Sequence, residues 1–480
     1  MIENQNKKEW IPLNKRDHLS FLHICGIAAG TLVANLLWKI IFTLFEPISE
    51  KVSIKQWIRT LLLFYGSLAG FVINPILGVY SDTLMFRYGR RRIFMLGGSF
   101  ILILGLLLMI YCQDLGQWFK PSQEKGKNDA EKGIFIVALL IVFTAGNIIQ
   151  NPARTLCSDV TPPKQQVLMA NICEIYAGVG GILTNLVGGL KLYQYVHIDQ
   201  ESFILIICLS LSAVCMVVAI IVTPEEPLHE KPPTVNPFKQ IWTAIKKMPK
   251  PFLRVLVPFT FGNIANYQFG FQFSHFMGHD IFKGENNSGA TEDQKNKYQD
   301  GISWAMMCYV VYYTFQFIYG FVSTWVIKTM GMRVVTFFSL LLLALGFFSF
   351  FFVSNKYAYL GIVVPLGLGN LVYNAVAYAI VSLVIPTEDL AANFGVLICF
   401  GVFGQQVSNF GIGSGLGAIW PDNSRMMIGL SSIFAFIGAI SAFFMINPRE
   451  DEAKDYQAIK DKNDNNHNME SNLLPNSNYA

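Results

Sequence analysis

The chain has 480 residues, of which 52% are hydrophobic and only 14% are charged. A soluble domain carries roughly a quarter charged residues, so this deficit indicates a protein whose solvent is lipid. The net charge of +4 is too small and too spread out to indicate nucleic-acid binding. The eight cysteines show neither a metal-ligand spacing nor a disulfide framework.

A polar N-terminal tail, 1–18, precedes a series of apolar runs, each long enough to cross a hydrocarbon core about 30 Å thick. Backbone in lipid must satisfy its own hydrogen bonds, so each run is expected to be a helix. The twelve predicted spans are 19–45, 57–80, 93–112, 133–158, 166–190, 203–222, 252–274, 303–327, 334–353, 357–384, 392–417 and 426–446. They fall into two sets of six, which predicts an all-α membrane protein of two six-helix bundles, 19–222 and 251–447.

Two hydrophilic segments complete the predicted organisation. The segment 223–250 is rich in proline and ends in an amphipathic piece at 241–247, so it predicts a cytoplasmic linker with a helix on the membrane surface. The segment 448–480 is polar and rich in asparagine, and we expect it to be a disordered tail.

Lysine and arginine predict the orientation of the chain. They are more frequent on the side that holds both tails and the linker, which indicates that both termini are cytoplasmic. The one N-x-S/T sequon begins at Asn286, in the long loop after the seventh span and on the predicted outside. Asn286 is therefore a candidate glycosylation site.

The two halves of the sequence resemble each other at corresponding spans. Gly78 and the run Gly89-Arg90-Arg91 follow the second span, and Gly320 and Gly331-Met332-Arg333 follow the eighth at the same spacing. The fourth span carries Gly146-Asn147-x3-Asn151, and the tenth carries Gly369-Asn370-x3-Asn374. These matches predict a six-plus-six duplication, which is typical of secondary transporters.

The loop between the second and third spans, with Gly78, Asp82, Gly89 and then Arg90, Arg91 and Arg92, resembles the hallmark loop of the major facilitator superfamily. Four further regions resemble the sucrose–proton symporters (glycoside-pentoside-hexuronide:cation symporter-like) of plants and their animal relatives. These regions are 66–78, 151–159 with Ala170-Asn171, 276–284, and 394–397 with Gln405-Gln406. The resemblance covers nearly the whole membrane region and implies the major facilitator fold, with two bundles related by a pseudo-two-fold axis.

The resemblance also implies a cytoplasmic gate. In this family type the acid at Asp82 pairs with arginine and with the positive end of a neighbouring helix, and the pair breaks when the bundles rock. Gly78 and Gly89 would allow close packing around a tight turn. The gate residues are expected to be Gly78, Asp82, Gly89, Arg90, Arg91 and Arg92. The alternative is a structural clamp that does not switch.

Two residues are candidates for proton coupling. The resemblance assigns the proton acceptor to Asp159, although Asp159 could also cap its span at the water boundary before Pro162. His275 stands where the symporters carry an aspartate, and Leu168 stands where they carry an arginine. An imidazole titrates near neutral pH, so His275 could carry the proton, or it could be a structural, hydrogen-bonded residue.

Polar side chains within the spans are candidates for substrate binding, because an ionisable residue in lipid is costly and is usually functional. Sugar sites combine amides and charges for hydroxyl groups with an aromatic face for the ring. Amide-rich contacts between helices would give the same pattern. The candidates are Asn35, Lys39, Asn151, Arg154, Glu174, Asn263, Tyr267, Gln272, Asn374 and Gln405. A pairing between Lys39 and Glu174 is plausible.

No phosphate-binding loop, metal cluster or catalytic triad is visible in the sequence, so we expect no enzyme and no cofactor beyond a coupling proton. The sequence favours proton-coupled symport of a disaccharide such as sucrose or maltose, with a sugar and the lipid bilayer as partners. The alternatives are an uncoupled facilitator of another polar solute, or a transport-inactive relative acting as a sensor or structural subunit. The membrane would be the plasma membrane or an internal vacuolar or vesicle membrane.

Overall fold

A computed structural model describes residues 12–86, 89–121, 126–162, 165–225, 236–287, 289–385, 390–416 and 423–446. Within these ranges the backbone forms fourteen α-helices, joined by loops and by short 3-10 and π-helical segments. Twelve of the helices have 17 residues or more, and the other two are short. This is the all-α architecture that the hydropathy pattern predicts, with a long helix at each of the twelve predicted spans.

The first six long helices form one bundle. They are α1 (Phe21–Lys51), α2 (Gln56–Thr83), α3 (Arg92–Ile110), α5 (Asp129–Val160), α6 (Gln166–Gly189) and α7 (Gln200–Val222), with the short α4 (Cys112–Phe119) after α3. Fully buried side chains such as Ile24, Leu37 and Phe143 form its core. We call this unit the first bundle.

The last six long helices form the second bundle. They are α9 (Lys250–His275), α10 (Glu292–Met330), α11 (Met332–Phe348), α12 (Ala358–Val384), α13 (Leu390–Val407) and α14 (Ser424–Ala442). Its separate core includes Phe269, Phe273 and Leu366. Short π-helical segments, Phe276–Ile281 and Ser408–Leu416, extend α9 and α13, and the amphipathic α8 (Pro237–Lys246) lies in the linker.

Large apolar side chains cover the outer faces of the bundles, as lipid requires. Phe100 and Ile221 are each 71% exposed, and Trp325 is 67% exposed. Among the described residues, nine helices are long and apolar enough to cross a membrane, and two shorter apolar stretches lie in α2 and α6. The helix α9 is not among the nine; it carries charges near its start and several amides along its length.

The first helix is longer than the hydropathy predicts. The expected end at residue 45 lies just before Pro47, a residue that usually disfavours helix, yet α1 continues through Pro47 to Lys51. The carboxylates Glu46 and Glu50 are therefore part of a buried helical segment rather than of a loop. The helix α10 also begins earlier than expected, at Glu292, because Thr291 and Gln294 form a capping box.

The two halves share a backbone feature at the predicted repeat. Gly89, before α3, has a φ of +108°, and Gly331, before α11, has a φ of +81°. Both values lie in the region that favours glycine, so the corresponding position in each half calls for this residue, although the α2–α3 connection is longer than the single residue between α10 and α11. This agreement supports the six-plus-six duplication.

The molecule has two ends, the linker side and the far side. On the linker side, α1 begins and α7 ends, and the His23 ring contacts the Val222 carbonyl. On the far side, α1 and α9 end. The bundles meet mainly through α1 against α9 and α6 against α10.

Candidate functional site

One face of α9 opens on the space between the bundles. Asn263, Asn266, Tyr267 and Gly270 stand at positions i, i+3, i+4 and i+7, so they share this face. A Cβ added at Gly270 would meet no atom within 4 Å. The buried Oδ1 atom of Asn266 has no hydrogen-bond partner in the described part of the chain. This face therefore offers unused polar groups beside open space.

A face of α10 has the same pattern. Tyr313, Gln316, Phe317 and Gly320 also stand at i, i+3, i+4 and i+7. A Cβ at Gly320 would again meet nothing within 4 Å, and the buried Oε1 atom of Gln316 has no partner among the described residues. Two helices of the second bundle thus turn amide and aromatic groups towards one region.

The first bundle directs two cations at this region. The Nζ atom of Lys39, on α1, lies 4.7 Å from the centre of the Tyr313 ring. The guanidinium carbon of Arg154, on α5, lies 5.7 Å from the centre of the Tyr378 ring on α12. Both contacts join the two bundles. We call the region between them the inter-bundle site, formed by Asn35, Lys39, Arg154, Asn263, Asn266, Tyr267, Tyr313, Gln316, Asn374 and Tyr378.

Three asparagines of the inter-bundle site are held in the same way. Asn35, Asn263 and Asn374 each donate Nδ2 to the carbonyl four residues earlier, at 2.9 Å. This bond orients the side chain and leaves the Oδ1 atom as an acceptor. Acceptor oxygens of this kind suit the hydroxyl groups of a polyol.

Gln272 was predicted to belong with Asn263, but the structure places it elsewhere. The two residues are nine positions apart, which is two and a half turns, so they lie on opposite faces of α9. Gln272 is only 6% exposed, and its Oε1 atom accepts a hydrogen bond of 3.1 Å from Ser424 on α14. Its role is to join helices within the second bundle.

No described contact places three further predicted residues in the inter-bundle site. Asn151 on α5 and Gln405 on α13 are half-buried. The side chain of Glu174 lies outside the described residues, and so does its predicted pairing with Lys39. Leu168, where the symporters carry an arginine, is 37% exposed on α6.

On the far side, an aromatic layer covers the inter-bundle site. Phe271 of α9 lies 4.6 Å from Phe42 and 5.7 Å from Phe45 between ring centres, and both partners belong to α1. Tyr267 packs against Phe271 at 4.9 Å. These contacts join the bundles directly and leave the site no exit in this direction.

A polar cluster lies beyond the aromatic layer. The Nδ1 atom of His275, at the end of α9, lies 3.3 Å from Glu50 Oε2 on α1 and 3.0 Å from the Tyr298 hydroxyl on α10. His275 is 7% exposed and Tyr298 is fully buried. Because Glu50 belongs to the first bundle and its partners to the second, the cluster holds the bundles together. We call Glu50, His275 and Tyr298 the latch.

Charged neighbours surround the latch. Glu46 on α1 accepts a hydrogen bond of 2.8 Å from Arg59 on α2, so this second carboxylate is already paired within the first bundle. The His279 ring stacks on His275 with 5.4 Å between ring centres. Burial raises the pKa of the neighbouring Asp280 carboxyl, and His279 opposes this shift. The Glu50 carboxylate and the imidazoles of His275 and His279 therefore lie close together at the interface between the bundles.

Asn286, the predicted glycosylation site, also lies in this interface. It is 6% exposed, and its Nδ2 atom donates a hydrogen bond of 3.2 Å to the Pro47 carbonyl of α1. The side chain of Asn286 is therefore not accessible in this conformation, because the loop folds back against the first bundle. Ser288 of the sequon lies outside the described residues. An ion pair between Lys191 and Asp300 joins the bundles nearby.

On the linker side, the arginines form a network within the first bundle. Asp159, in the last turn of α5, lies 3.2 Å from the guanidinium groups of both Arg90 and Arg91. The Glu225 carboxylate, just after α7, accepts hydrogen bonds from the backbone N–H groups of Arg90, Arg91 and Arg92, at 2.9–3.0 Å. The network fixes the α2–α3 turn against α5 and α7.

Arg90, Arg91 and Gly89 belong to the predicted cytoplasmic gate. The described contacts of Arg90 and Arg91 stay within one bundle, so they anchor the turn and do not themselves join the bundles. Gly89 is essential to the turn, because a Cβ there would lie 2.7 Å from Glu225 Oε1. The side chain of Asp82 and the surroundings of Gly78 lie outside the described residues.

The side chain of Arg154 is exposed although it lies well inside α5, on the half nearer the linker side. Since Arg154 faces Tyr378 of the other bundle, the space between the bundles is accessible to solvent from that direction. The far side is closed by the aromatic layer and the latch. The described structure thus has a site between two bundles that is closed at one end.

Sequence reasoning missed Glu50, Tyr298 and Glu225. Glu50 fell after the predicted end of the first span, and Tyr298 fell before the predicted start of the eighth. A signal for Glu225 was present in Thr223-Pro224-Glu225, since an acid placed just after a span can cap the start of a neighbouring helix.

The comparisons with known proteins agree with this architecture. The family model of the Major Facilitator Superfamily matches residues 27–293, more than half of the chain. The chain belongs to the Major Facilitator Superfamily, and it is a multi-pass membrane transporter by family. Among solved structures, the nucleoside transporter NupG has a TM-score of 0.62 at 12% identity, with 88% of this chain and 98% of that chain covered. A bacterial homologue of the human lysosomal transporter Spinster has a TM-score of 0.58 at 14% identity, with 88% and 96% covered.

The curated relatives are named as sucrose transport proteins. SUC3 of Arabidopsis thaliana is 28% identical over 164 residues, which are 33% of this chain and 27% of the relative. SUT5 of Oryza sativa subsp. indica is 23% identical over 284 residues, which are 54% of this chain and 52% of the relative. The aligned region thus spans between about a quarter and a half of the length of these relatives.

Proposed function

We propose that this transporter moves a sugar of disaccharide size by alternating access through the inter-bundle site. The observation that carries the proposal is the composition of that site: Lys39 lies over the Tyr313 ring, and asparagines whose Nδ2 atoms are held by helix carbonyls keep Oδ1 as an acceptor. Hydroxyl groups bind such amides, and a sugar ring packs on an aromatic face. The names of the curated relatives support the choice of a sugar.

The linker side is the cytoplasmic side in this proposal, because lysine and arginine are more frequent there. The latch then closes the outer end of the pathway, and the structure corresponds to a state open to the cytoplasm. Outward opening must separate Glu50 from His275 and Phe42 from Phe271. The two ends open in turn because the bundles rock about the site.

A proton is the proposed coupling ion, and the geometry favours His275 over Asp159 as the group that carries it. The partner of His275 is on the other bundle, so the rocking motion separates the pair once in every cycle. The partners of Asp159 are on its own bundle and move with it. A group whose partner leaves can exchange a proton with solvent at that step, and an imidazole does so near neutral pH.

Uptake of labelled sucrose and maltose into yeast cells or oocytes that express the chain tests the proposal. Saturable uptake that rises as the external pH falls supports proton-coupled sugar transport. Saturable uptake that ignores pH refutes the coupling and leaves a facilitator, which the replacement of an arginine by Leu168 would favour. Correctly folded protein at the cell surface that takes up no sugar refutes the proposal and favours an inactive relative.

Matched variants assign the coupling group. His275→Gln should remove the pH dependence of uptake while sugar counterflow persists. Asp159→Asn should lower the rate at every pH without changing the shape of the pH profile, because it weakens the α2–α3 turn. The reverse pattern would place the coupling at Asp159.

A further inference from the structure

The linker helix α8 has an exposed face that lies outside the inter-bundle site. Four of its residues stand at positions i, i+3, i+4 and i+7 and therefore share one side of the helix: Lys239, Trp242, Thr243 and Lys246. All four are exposed, and Trp242 is 59% exposed. The Nζ atom of Lys246 lies 5.3 Å from the centre of the Trp242 ring. We call these four residues the linker-helix face.

The neighbours of α8 hold it close to the membrane surface. Only the residues 247–249 separate it from α9, so its end lies within roughly 15 Å of the start of that long helix. The helix α8 also contacts α2 of the first bundle and α13 of the second. Because both bundles touch α8, these contacts fix which side of the helix is turned away from the protein.

The charges around the linker-helix face all have one sign. Between positions 236 and 254 the sequence contains five cations and no acid. The five cations are Lys239, Lys246, Lys247, Lys250 and Arg254, and each of them is exposed. A basic side chain near a membrane attracts anionic lipid headgroups, and each contributes about 1 kcal/mol. The charge of this region therefore complements an anionic surface.

An apolar edge beside the lysines identifies that surface as a membrane. Ile245, three residues after Trp242, is 37% exposed. Tryptophan is enriched at the level of the headgroups, where its ring is partly in lipid and partly in water. Lysine can extend its apolar chain along such a boundary and place the ammonium group among the phosphates. An acidic protein segment would match the lysines but would leave Trp242 and Ile245 in water.

We propose that the linker-helix face binds anionic headgroups of the membrane leaflet on the linker side, such as those of phosphatidylserine. Lys239 and Lys246 form ion pairs with the phosphate or carboxylate groups. Trp242 and Ile245 enter the boundary between the headgroups and the acyl chains, as an amphipathic helix at an interface does. This surface is separate from the inter-bundle site, so the binding does not depend on which solute the protein carries.

Lipid titration of the purified full chain tests the proposal. A single cysteine at position 243 (Thr243→Cys), in a chain whose eight native cysteines are replaced, carries an environment-sensitive fluorophore. The protein is held in detergent micelles that contain phosphatidylcholine, and phosphatidylserine, further phosphatidylcholine or a polyglutamate peptide is added. The change in emission gives an apparent dissociation constant for each addition.

Three combined variants separate the charge of α8 from the charge of the whole protein. The first replaces Lys239, Lys246 and Lys247 by glutamine, and the second replaces the same three by arginine. The third is the matched control, which removes an equal charge from the far side through Lys55→Gln, Lys120→Gln and Lys297→Gln, all at exposed positions.

We expect phosphatidylserine to bind the labelled parent chain at least about tenfold more tightly than phosphatidylcholine, which corresponds to about 1.4 kcal/mol. The preference should persist in the arginine variant and the far-side control, fall to about one in the glutamine variant, and weaken as salt is added. Equal affinity for the two lipids, no response to phosphatidylserine, or a preference unchanged in the glutamine variant overturns the proposal. Tighter binding of polyglutamate than of phosphatidylserine would assign the face to an acidic protein segment and overturns it as well.

Discussion

Glu50 and His275 lie 3.3 Å apart although they belong to different bundles. Their contact has Tyr298 at its side and the aromatic layer of Phe42, Phe45 and Phe271 beneath it. Removal of one residue of such a buried pair destabilises the protein, because the remaining polar group is left buried without a partner. The far side therefore closes through one polar and one aromatic layer, and both must separate if a solute is to pass.

Removal of the Glu50 carboxylate should open the far side. Glu50→Gln leaves His275 without its anion, and the loss of one member of a buried pair costs about 3–5 kcal/mol, so the closed state should lose population. A single cysteine at position 267 (Tyr267→Cys), in a chain whose eight native cysteines are replaced, should react at least about tenfold faster with a membrane-impermeant maleimide added from the far side.

Glu201→Gln is the matched control for this experiment. Glu201 pairs with Lys51 on the same side of the protein, but both residues belong to the first bundle. Its removal should leave the labelling rate unchanged. Equal acceleration by both substitutions would show that any lost charge on this side loosens the protein, and the latch would then have no special role.

Gly181→Ala should weaken sugar binding. A Cβ at Gly181, on α6, would lie 2.5 Å from the ring of Tyr313, so the ring must move and the position of Lys39 changes with it. We expect a higher KM, by about tenfold if about 1.4 kcal/mol of binding is lost.

Gly97→Ala on α3 is the matched control, because a Cβ there meets nothing within 4 Å. That change should leave KM unaltered and stabilise the helix by about 0.5–1 kcal/mol. A Gly181→Ala protein with the KM of the wild type would refute the contact between Tyr313 and the sugar site.

Glu225→Ala should destabilise the start of α3. Its carboxylate accepts three backbone N–H groups at the positive end of that helix, and the loss of charged hydrogen bonds costs about 1–3 kcal/mol. The midpoint of thermal unfolding in detergent should fall. Glu292→Ala, in the exposed first turn of α10, should change the midpoint far less. Equal changes in both variants would contradict the capping role of Glu225.

Asn286 should carry no N-glycan in the folded protein. Its amide donates to Pro47 and is buried in the contact between the bundles, so a glycan would keep the far side from closing. Protein made in a eukaryotic host should show the same electrophoretic mobility before and after endoglycosidase, and Asn286→Gln should match the wild type. A mobility shift that disappears in Asn286→Gln would contradict this placement.

The fold was largely predictable from the sequence because lipid imposes long apolar helices, and their period and spacing are directly visible. The ends of two helices were not. A proline usually ends a helix, yet α1 continues through Pro47 to Lys51. The capping box at Thr291 starts α10 well before its apolar stretch. Those two extensions contain Glu50 and Tyr298, so the latch could not be predicted.

The candidate site was predictable in part. Lys39, Asn35 and Asn263 lie where intramembrane polar residues were expected, because such residues avoid lipid and face the bundle interior. Gln272 does not lie there, because helix geometry puts it on the face of α9 opposite Asn263. The sequence alone cannot show which face of α9 meets the other bundle. Asp159 pairs with two arginines of the α2–α3 turn, a pairing that the sequence did not predict.

A reversible cross-link in the latch tests the central claim most directly. Glu50→Cys and His275→Cys are combined in the chain without native cysteines, reconstituted in liposomes and joined by a reducible bifunctional thiol reagent, because the contact is between side-chain ends and a direct disulfide would be too short. Counterflow of labelled sugar, which does not need the coupling group, is measured before and after reduction. If the bundles must separate at this contact in every cycle, the cross-linked protein should bind sugar from the linker side but transport none, and reduction should restore counterflow. Transport by the fully cross-linked protein at the rate of the reduced protein would contradict the account.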